Sequence, residues 1–142
     1  MTQEDKELLL KDLCARLPYG VKVAFFNEDL TYHAEPKTLI QIECINNLGY
    51  SHLEDEDGNT TIIEFVKPYL FPLSSMTEEQ KKKYNFLKHE VFVCHYEYGD
   101  VVEEIELYES PESFVYLIEN HFDYYGLIPM GLANDATGLN IY

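Results

Sequence analysis

Leu8, Leu9, Leu10, Leu13 and Leu17 recur at helical spacing, with Lys6, Lys11, Asp12 and Arg16 between them. That period gathers apolar side chains on one helix face. Thr2 with Asp5 forms an N-terminal cap pair, and Pro18 with Gly20 ends the element. The spacing predicts a helix over residues 3–16. The period then changes to two. Val21, Val23 and Phe25 alternate with Lys22, Ala24 and Phe26, as a strand requires. A turn is predicted over residues 27–29 and an extended segment over residues 30–34, broken by Pro36. Along residues 38–45, Leu39, Gln41 and Glu43 fall on one side and Ile40, Ile42 and Cys44 on the other. The second is the apolar face. Residues 50–54 and 60–66 flank Asp57-Gly58-Asn59, a strong hairpin turn. Residues 21–66 therefore read as an antiparallel meander of four or five strands.

Residues 67–76 hold Pro68 and Pro72 around Tyr69, Leu70 and Phe71, which reads as an ordered loop. Thr77-Glu78-Glu79-Gln80 is a capping box. Its helix carries Tyr84 and Leu87 on one face and Lys81, Lys82 and Lys83 outward. Residues 91–98 fit either a helical stripe or an alternating strand. Their Val and aromatic content favours a helix ending near Glu90 and then a strand. Gly99-Asp100 turns into a second strand over residues 101–108. Ser110 and Pro111 open a third helix as N-cap and first residue, ending near His121. The apolar residues after Phe122 pack back on the body. The predicted fold class is α+β: an antiparallel sheet of four to six strands packed with about three helices.

Composition adds little to the fold and much to the function. Residues 1–142 read as a single acidic globular domain: 46% hydrophobic content with 12 Tyr and 8 Phe supplies a core that a disordered acidic chain lacks. Net charge is -16, and its placement is uneven. No Lys or Arg follows Lys88, whereas Glu90, Glu97, Asp100, Glu103, Glu104, Glu106, Glu109, Glu112, Glu119, Asp123 and Asp135 do. Such a part repels polyanions and draws basic protein faces. Direct nucleic-acid binding is excluded on this balance, and no apolar run reaches membrane-spanning length. The charged first residues lack a signal-peptide core. Cys14, Cys44 and Cys94 have no metal or disulfide spacing, so they read as reduced, mostly buried thiols of a cytoplasmic protein.

Candidate chemistry is thin. Asp55, Asp57, Asn59 and Glu64 mimic calcium-loop spacing around Gly58. Leu53 stands where the first ligand belongs, so a solvated turn explains the run. No pair among His33, His52, His89, His95 and His121 has metal-ligand spacing, and neither a metal nor any other cofactor is expected. No activated serine or phosphate loop occurs. Carboxylates such as Glu103, Glu104 and Asp123 are too abundant to mark acid–base catalysis, so no catalytic residue is assigned and the reading leans away from an enzyme. Tyrosines interleaved with acids are more telling, since aromatic rings anchor and carboxylates steer basic partners. The candidate partner-binding set is Tyr96, Tyr98, Glu103, Glu104, Glu106, Tyr108, Asp123, Tyr124 and Tyr125.

Three stretches carry a resemblance: residues 67–79 (KPYLFPLSSMTEE), residues 120–133 (NHFDYYGLIPMGLA) and residues 8–23 with Pro18-Tyr19-Gly20. Together they resemble a group of small uncharacterised proteins of gut anaerobic bacteria and their phages or mobile elements. The resemblance implies no function. The first two stretches are expected to pack against each other and fix the sheet's ends. Relatives tend to show Arg at the place of Tyr125, and its absence here removes the one cation near the terminal motif, which argues against an anion site. The leading functional expectation is a non-catalytic acidic module docking on a basic protein as an inhibitor, immunity-type factor or nucleic-acid charge mimic. Alternatives are a homo-oligomeric structural or regulatory domain joined by a strand edge, and a small metal-dependent enzyme using Asp and His.

Overall fold

A computed structural model describes residues 1–26, 29, 35–45 and 50–142. The extended segment expected over residues 30–34 lies outside them, as does most of the turn before it. The described residues form two compact units, Met1–Ser75 with Ile118–Tyr142, and Met76–Leu117. The fold is α+β, with three helices and eight strands among the described residues. None of those helices is long and apolar enough to cross a membrane.

The first unit opens with α1, Gln3–Arg16. Thr2 Oγ1 accepts the Asp5 N–H at 3.1 Å and Asp5 returns the bond to the Thr2 N–H at 2.9 Å, so Asp serves where the capping box usually has Glu. Strands β1 (Lys22–Phe25), β2 (Lys37–Ile45), β3 (Tyr50–Asp55), β4 (Thr60–Thr61), β5 (Val66–Leu70) and β8 (Asn134–Asp135) make a six-stranded sheet in the order β4-β3-β2-β1-β5-β8. All its pairs are antiparallel except β5 with β8. Leu9 and Leu13 of α1 join Val21, Val23, Leu39, Leu53, Val66 and Leu70 in the core, with Leu127 and Leu132 from the terminal segment.

Three expectations are corrected here. In β2 the register shifts between Leu39 and Gln41. This bulge turns Leu39 and Ile42 toward the core and leaves Ile40 and Cys44 exposed. Of the face read as Ile40, Ile42 and Cys44, only Ile42 therefore packs on the core. Residues 60–66 are not one strand: β4 is followed by a 3-10 turn, Ile63–Phe65, whose Ile63 is buried. The loop expected over residues 67–76 begins as strand β5, with Pro68 opposite Val23. Proline is tolerated because β8 pairs only with Tyr69 and Leu70, so no β8 neighbour lies beside Pro68 to use its missing N–H.

Residues 67–79 and 120–133 meet through Phe71. Phe71 N–H donates to the His121 carbonyl and Asp123 N–H donates to the Phe71 carbonyl, both at 2.8 Å. In the 55–59 turn, Asp55 Oδ1 accepts from Asp57 and Asn59 N–H at 2.9 and 3.0 Å, and Lys37 Nζ holds Asp57 at 2.8 Å. The acidic run is a clamped turn.

The second unit holds α2 (Glu78–Leu87), the hairpin of β6 (His89–Glu97) and β7 (Asp100–Tyr108), and most of α3 (Pro111–Glu119). Thr77 and Gln80 form the expected capping box, with bonds of 2.8 and 3.1 Å. The helix stops at Leu87 rather than near Glu90, and residues 91–97 are strand. β-branched and aromatic side chains decide this, as expected for a pleated surface.

Candidate protein-binding hairpin

The hairpin is positioned from its base. Ser110 Oγ accepts the Ser113 N–H at 3.0 Å, capping α3, and donates to the Leu87 carbonyl at 2.5 Å, closing the end of α2. Tyr84 donates its hydroxyl to Glu109, and Lys88 Nζ lies 4.2 Å from the Tyr84 ring centre. Between these anchors, β6 and β7 pair over their full length, from His89 opposite Tyr108 to Glu97 opposite Asp100. Tyr98 and Gly99 make the turn, with φ of 52° and 85°. Two positive φ values match a turn twisted like the strands it joins, for which Asn-Gly is the favoured pair. Here a tyrosine, 99% exposed, takes the first place.

Alternation sorts the side chains onto two faces. One face carries Phe92, Tyr96, Val101, Ile105 and Leu107, all exposed, with Glu90, Cys94 and Glu103. The other carries Glu97, Asp100, Glu104, Glu106, Tyr108, His89, His95, Val91, Val93 and Val102. Among the described residues no Lys or Arg pairs with Glu90, Asp100, Glu103, Glu104 or Glu106; His95 lies 3.8 Å from Glu97, and Lys81 pairs with Glu78 instead. Tyr108 donates its hydroxyl to Glu106, whose carboxylate holds the phenol above its usual pKa.

The structure divides the nine candidate residues. Tyr96, Glu103, Glu104, Glu106 and Tyr108 share the hairpin, with Tyr98 at its tip. Asp123, Tyr124 and Tyr125 belong to the first unit. Asp123 is buried, and its two oxygens accept the Leu127 and Ile128 N–H groups at 2.7 and 2.9 Å. It caps a turn and offers no surface carboxylate. Tyr124 and Tyr125 are half-buried and meet edge to face at 4.8 Å. Lys11 Nζ stands 5.5 Å over the Tyr125 ring, and Arg16 Nη2 donates to the Phe122 carbonyl at 2.6 Å. The terminal motif thus has cations beside it, supplied by α1 from the other end of the chain. The expectation of a motif without one is corrected.

Arg16 belongs to a buried polar centre that sequence reasoning missed. Its Nε donates to Asp12 Oδ2 at 2.8 Å, and both side chains are wholly buried. Burial raises the Asp12 carboxyl above its usual pKa, against the lowering effect of its Arg16 hydrogen bond. His121, in the left-handed region at φ 63°, stacks on Tyr142 at 3.7 Å. Tyr142 accepts the Lys22 N–H and donates to the Tyr69 carbonyl. Burial, with the nearby Arg16 charge, lowers the His121 pKa to about 4, and burial lifts the Tyr142 phenol above its ordinary range. The available signal was the Asp12–Arg16 spacing of four on a leucine-rich helix. That spacing is equally common on solvated faces.

All three cysteines are free and exposed, which corrects the buried reading. Cys14 and Cys44 lie on surface positions of α1 and β2, and Cys94 on the hairpin. Among the described residues no group of three or more His, Cys, Asp or Glu side chains could hold a metal ion. No protein-family model, curated protein or solved structure matches this chain.

Proposed function

We propose that this chain is a non-catalytic, cytoplasmic protein-binding module that docks on a basic protein surface through the β6–β7 hairpin. One observation carries the reading. The hairpin exposes an apolar face, Phe92, Tyr96, Val101, Ile105 and Leu107, flanked by Glu90 and Glu103, carries Glu97, Asp100, Glu104 and Glu106 on its other face, and has no Lys or Arg. Two strands alone bury too little apolar surface to be stable by themselves, and exposed apolar patches rimmed by charge mark interaction sites. Tyr98 supports the same reading: a fully exposed ring in a backbone region that disfavours it costs local stability, which recognition by an aromatic anchor would offset. An inhibitor, an immunity-type factor and a mimic of nucleic-acid charge all fit this chemistry.

A second reading is self-association, favoured by the open edge of β6, where residues 91–96 carry no Asp, Glu, Lys or Arg. The test is capture of partners with the whole chain as bait at low and high salt, beside a Glu104→Lys/Glu106→Lys variant. Basic proteins retained by the parent and released by salt or by the variant are the expected result. Capture that ignores both changes refutes docking by charge.

A further inference from the structure

The outer edge of β7 presents a row of outward main-chain groups. Among the described residues β6 and β7 pair only with each other. Glu97 and Asp100 close a two-residue turn, and closing residues of such a hairpin exchange main-chain hydrogen bonds. Stepping by twos, Val102, Glu104, Glu106 and Tyr108 direct their N–H and C=O groups toward β6. Val101, Glu103, Ile105 and Leu107 direct theirs outward.

A strand laid along that edge would meet two different rows. On one face stand Asp100, Glu104 and Glu106. On the other stand Val101, Ile105 and Leu107, with Glu103 among them. From Glu104 to Leu107 acid and apolar residues alternate strictly. Cross-strand neighbours of opposite charge stabilise a ladder and like charges weaken it. A complementary strand therefore alternates cations with apolar side chains.

We infer that the β7 edge takes up an extended segment of the partner protein in which Lys or Arg alternates with apolar residues. This deepens the proposed function and rests on it. Main-chain bonds supply affinity, and alternate side chains supply specificity. A second copy of this chain fits the edge poorly, because β7 against β7 sets the Glu104 and Glu106 row beside itself. The β6 edge has no comparable acidic row and selects no basic segment.

The experiment titrates the full-length chain, 15N-labelled, with a peptide as long as β7 that alternates lysine and valine. A block peptide of the same composition, lysines followed by valines, is the control. The alternating peptide is expected to bind about tenfold tighter, with amide shifts concentrated in residues 100–108. Glu103→Pro removes an outward N–H without touching the β6 ladder and should weaken binding about tenfold. Glu103→Gln keeps that N–H and should lose less. If Glu103→Pro disrupts the hairpin, a peptide with N-methyl groups on its pairing edge asks the same question of the unchanged protein, and unimpaired binding overturns the inference. Equal binding of the block peptide overturns strand addition while leaving charge-driven docking intact. Failure of both peptides to bind overturns the inference, and capture insensitive to salt separately removes the docking reading. Light scattering that shows a dimer with residues 100–108 as its joint assigns the edge to a second copy and also overturns it.

Discussion

Removing the Asp12 carboxylate should damage the first unit more than removing it together with the Arg16 charge. Both side chains are wholly buried and joined at 2.8 Å. In Asp12→Leu the guanidinium stays charged, buried and uncompensated, a situation that costs about 3–5 kcal/mol. Total stability of such domains is about 5–15 kcal/mol, so about a fifth or more is lost. At about 3 °C per kcal/mol for a chain this size, the midpoint falls by about 10–15 °C. Asp12→Leu/Arg16→Met leaves no buried charge. It leaves the Phe122 carbonyl without the Arg16 donor that holds it at 2.6 Å, a loss of about 1–3 kcal/mol. The double variant should therefore be more stable than Asp12→Leu by about 2 kcal/mol. Urea unfolding followed by circular dichroism for the parent, both single variants and the double variant measures this coupling. Additive single effects, or a cost under about 1 kcal/mol for Asp12→Leu, would refute the reasoning.

His121 makes stability depend on pH in a defined direction. Its pKa falls from 6.5 to about 4 on folding, so the unfolded chain binds the extra proton between those values. Its contribution is complete above about pH 6.5 and is lost as pH falls toward 4, by at most about 3 kcal/mol. His121→Asn, which tolerates the positive φ, should flatten that part of a urea-midpoint profile; an unchanged slope refutes the assignment. Leu39→Ala should destabilise by about 2–5 kcal/mol and Ile40→Ala by under about 0.5 kcal/mol, and a reversed order in thermal melts would place the β2 bulge wrongly. Tyr98→Asn should raise hairpin protection in hydrogen exchange, since Asn suits the turn, while weakening partner capture; unaltered capture removes Tyr98 from the interface. A thiol reagent should label Cys14, Cys44 and Cys94 in the folded protein, with Cys14 slowest because partial desolvation beside its neighbours raises its thiol pKa, and protection of all three in mass spectra would contradict their exposure.

Local signals were legible where the residue itself carries the physics. Thr2 and Thr77 cap helices because a hydroxyl beside free N–H groups needs no distant partner. Gly58 and Gly99 mark turns because they accept positive φ. β7 was readable from its alternation, and four of the nine candidate binding residues lie on it, with Tyr96 and Tyr98 on β6 and the turn of the same hairpin. Illegible were the features made by distant segments. The bulge after Leu39 puts Leu39 and Ile42, three positions apart, on the core side, and a period of two cannot register that extra residue. Asp123 looks like any surface acid until the turn at Leu127 and Ile128 folds over it.

The order of residues alone determined the helix caps, the turns, the charge boundary after Lys88 and the α+β class, since these depend on neighbours a few positions apart. Only the tertiary structure decided that Asp12 and Arg16 go inside, that β5 joins β8 in parallel, and that the cation beside Tyr125 comes from α1. Those outcomes require segments separated by as many as 114 positions, Lys11 and Tyr125, to meet. Burial, which sets the chemistry of Arg16 and His121, belongs to that meeting and not to either residue by itself.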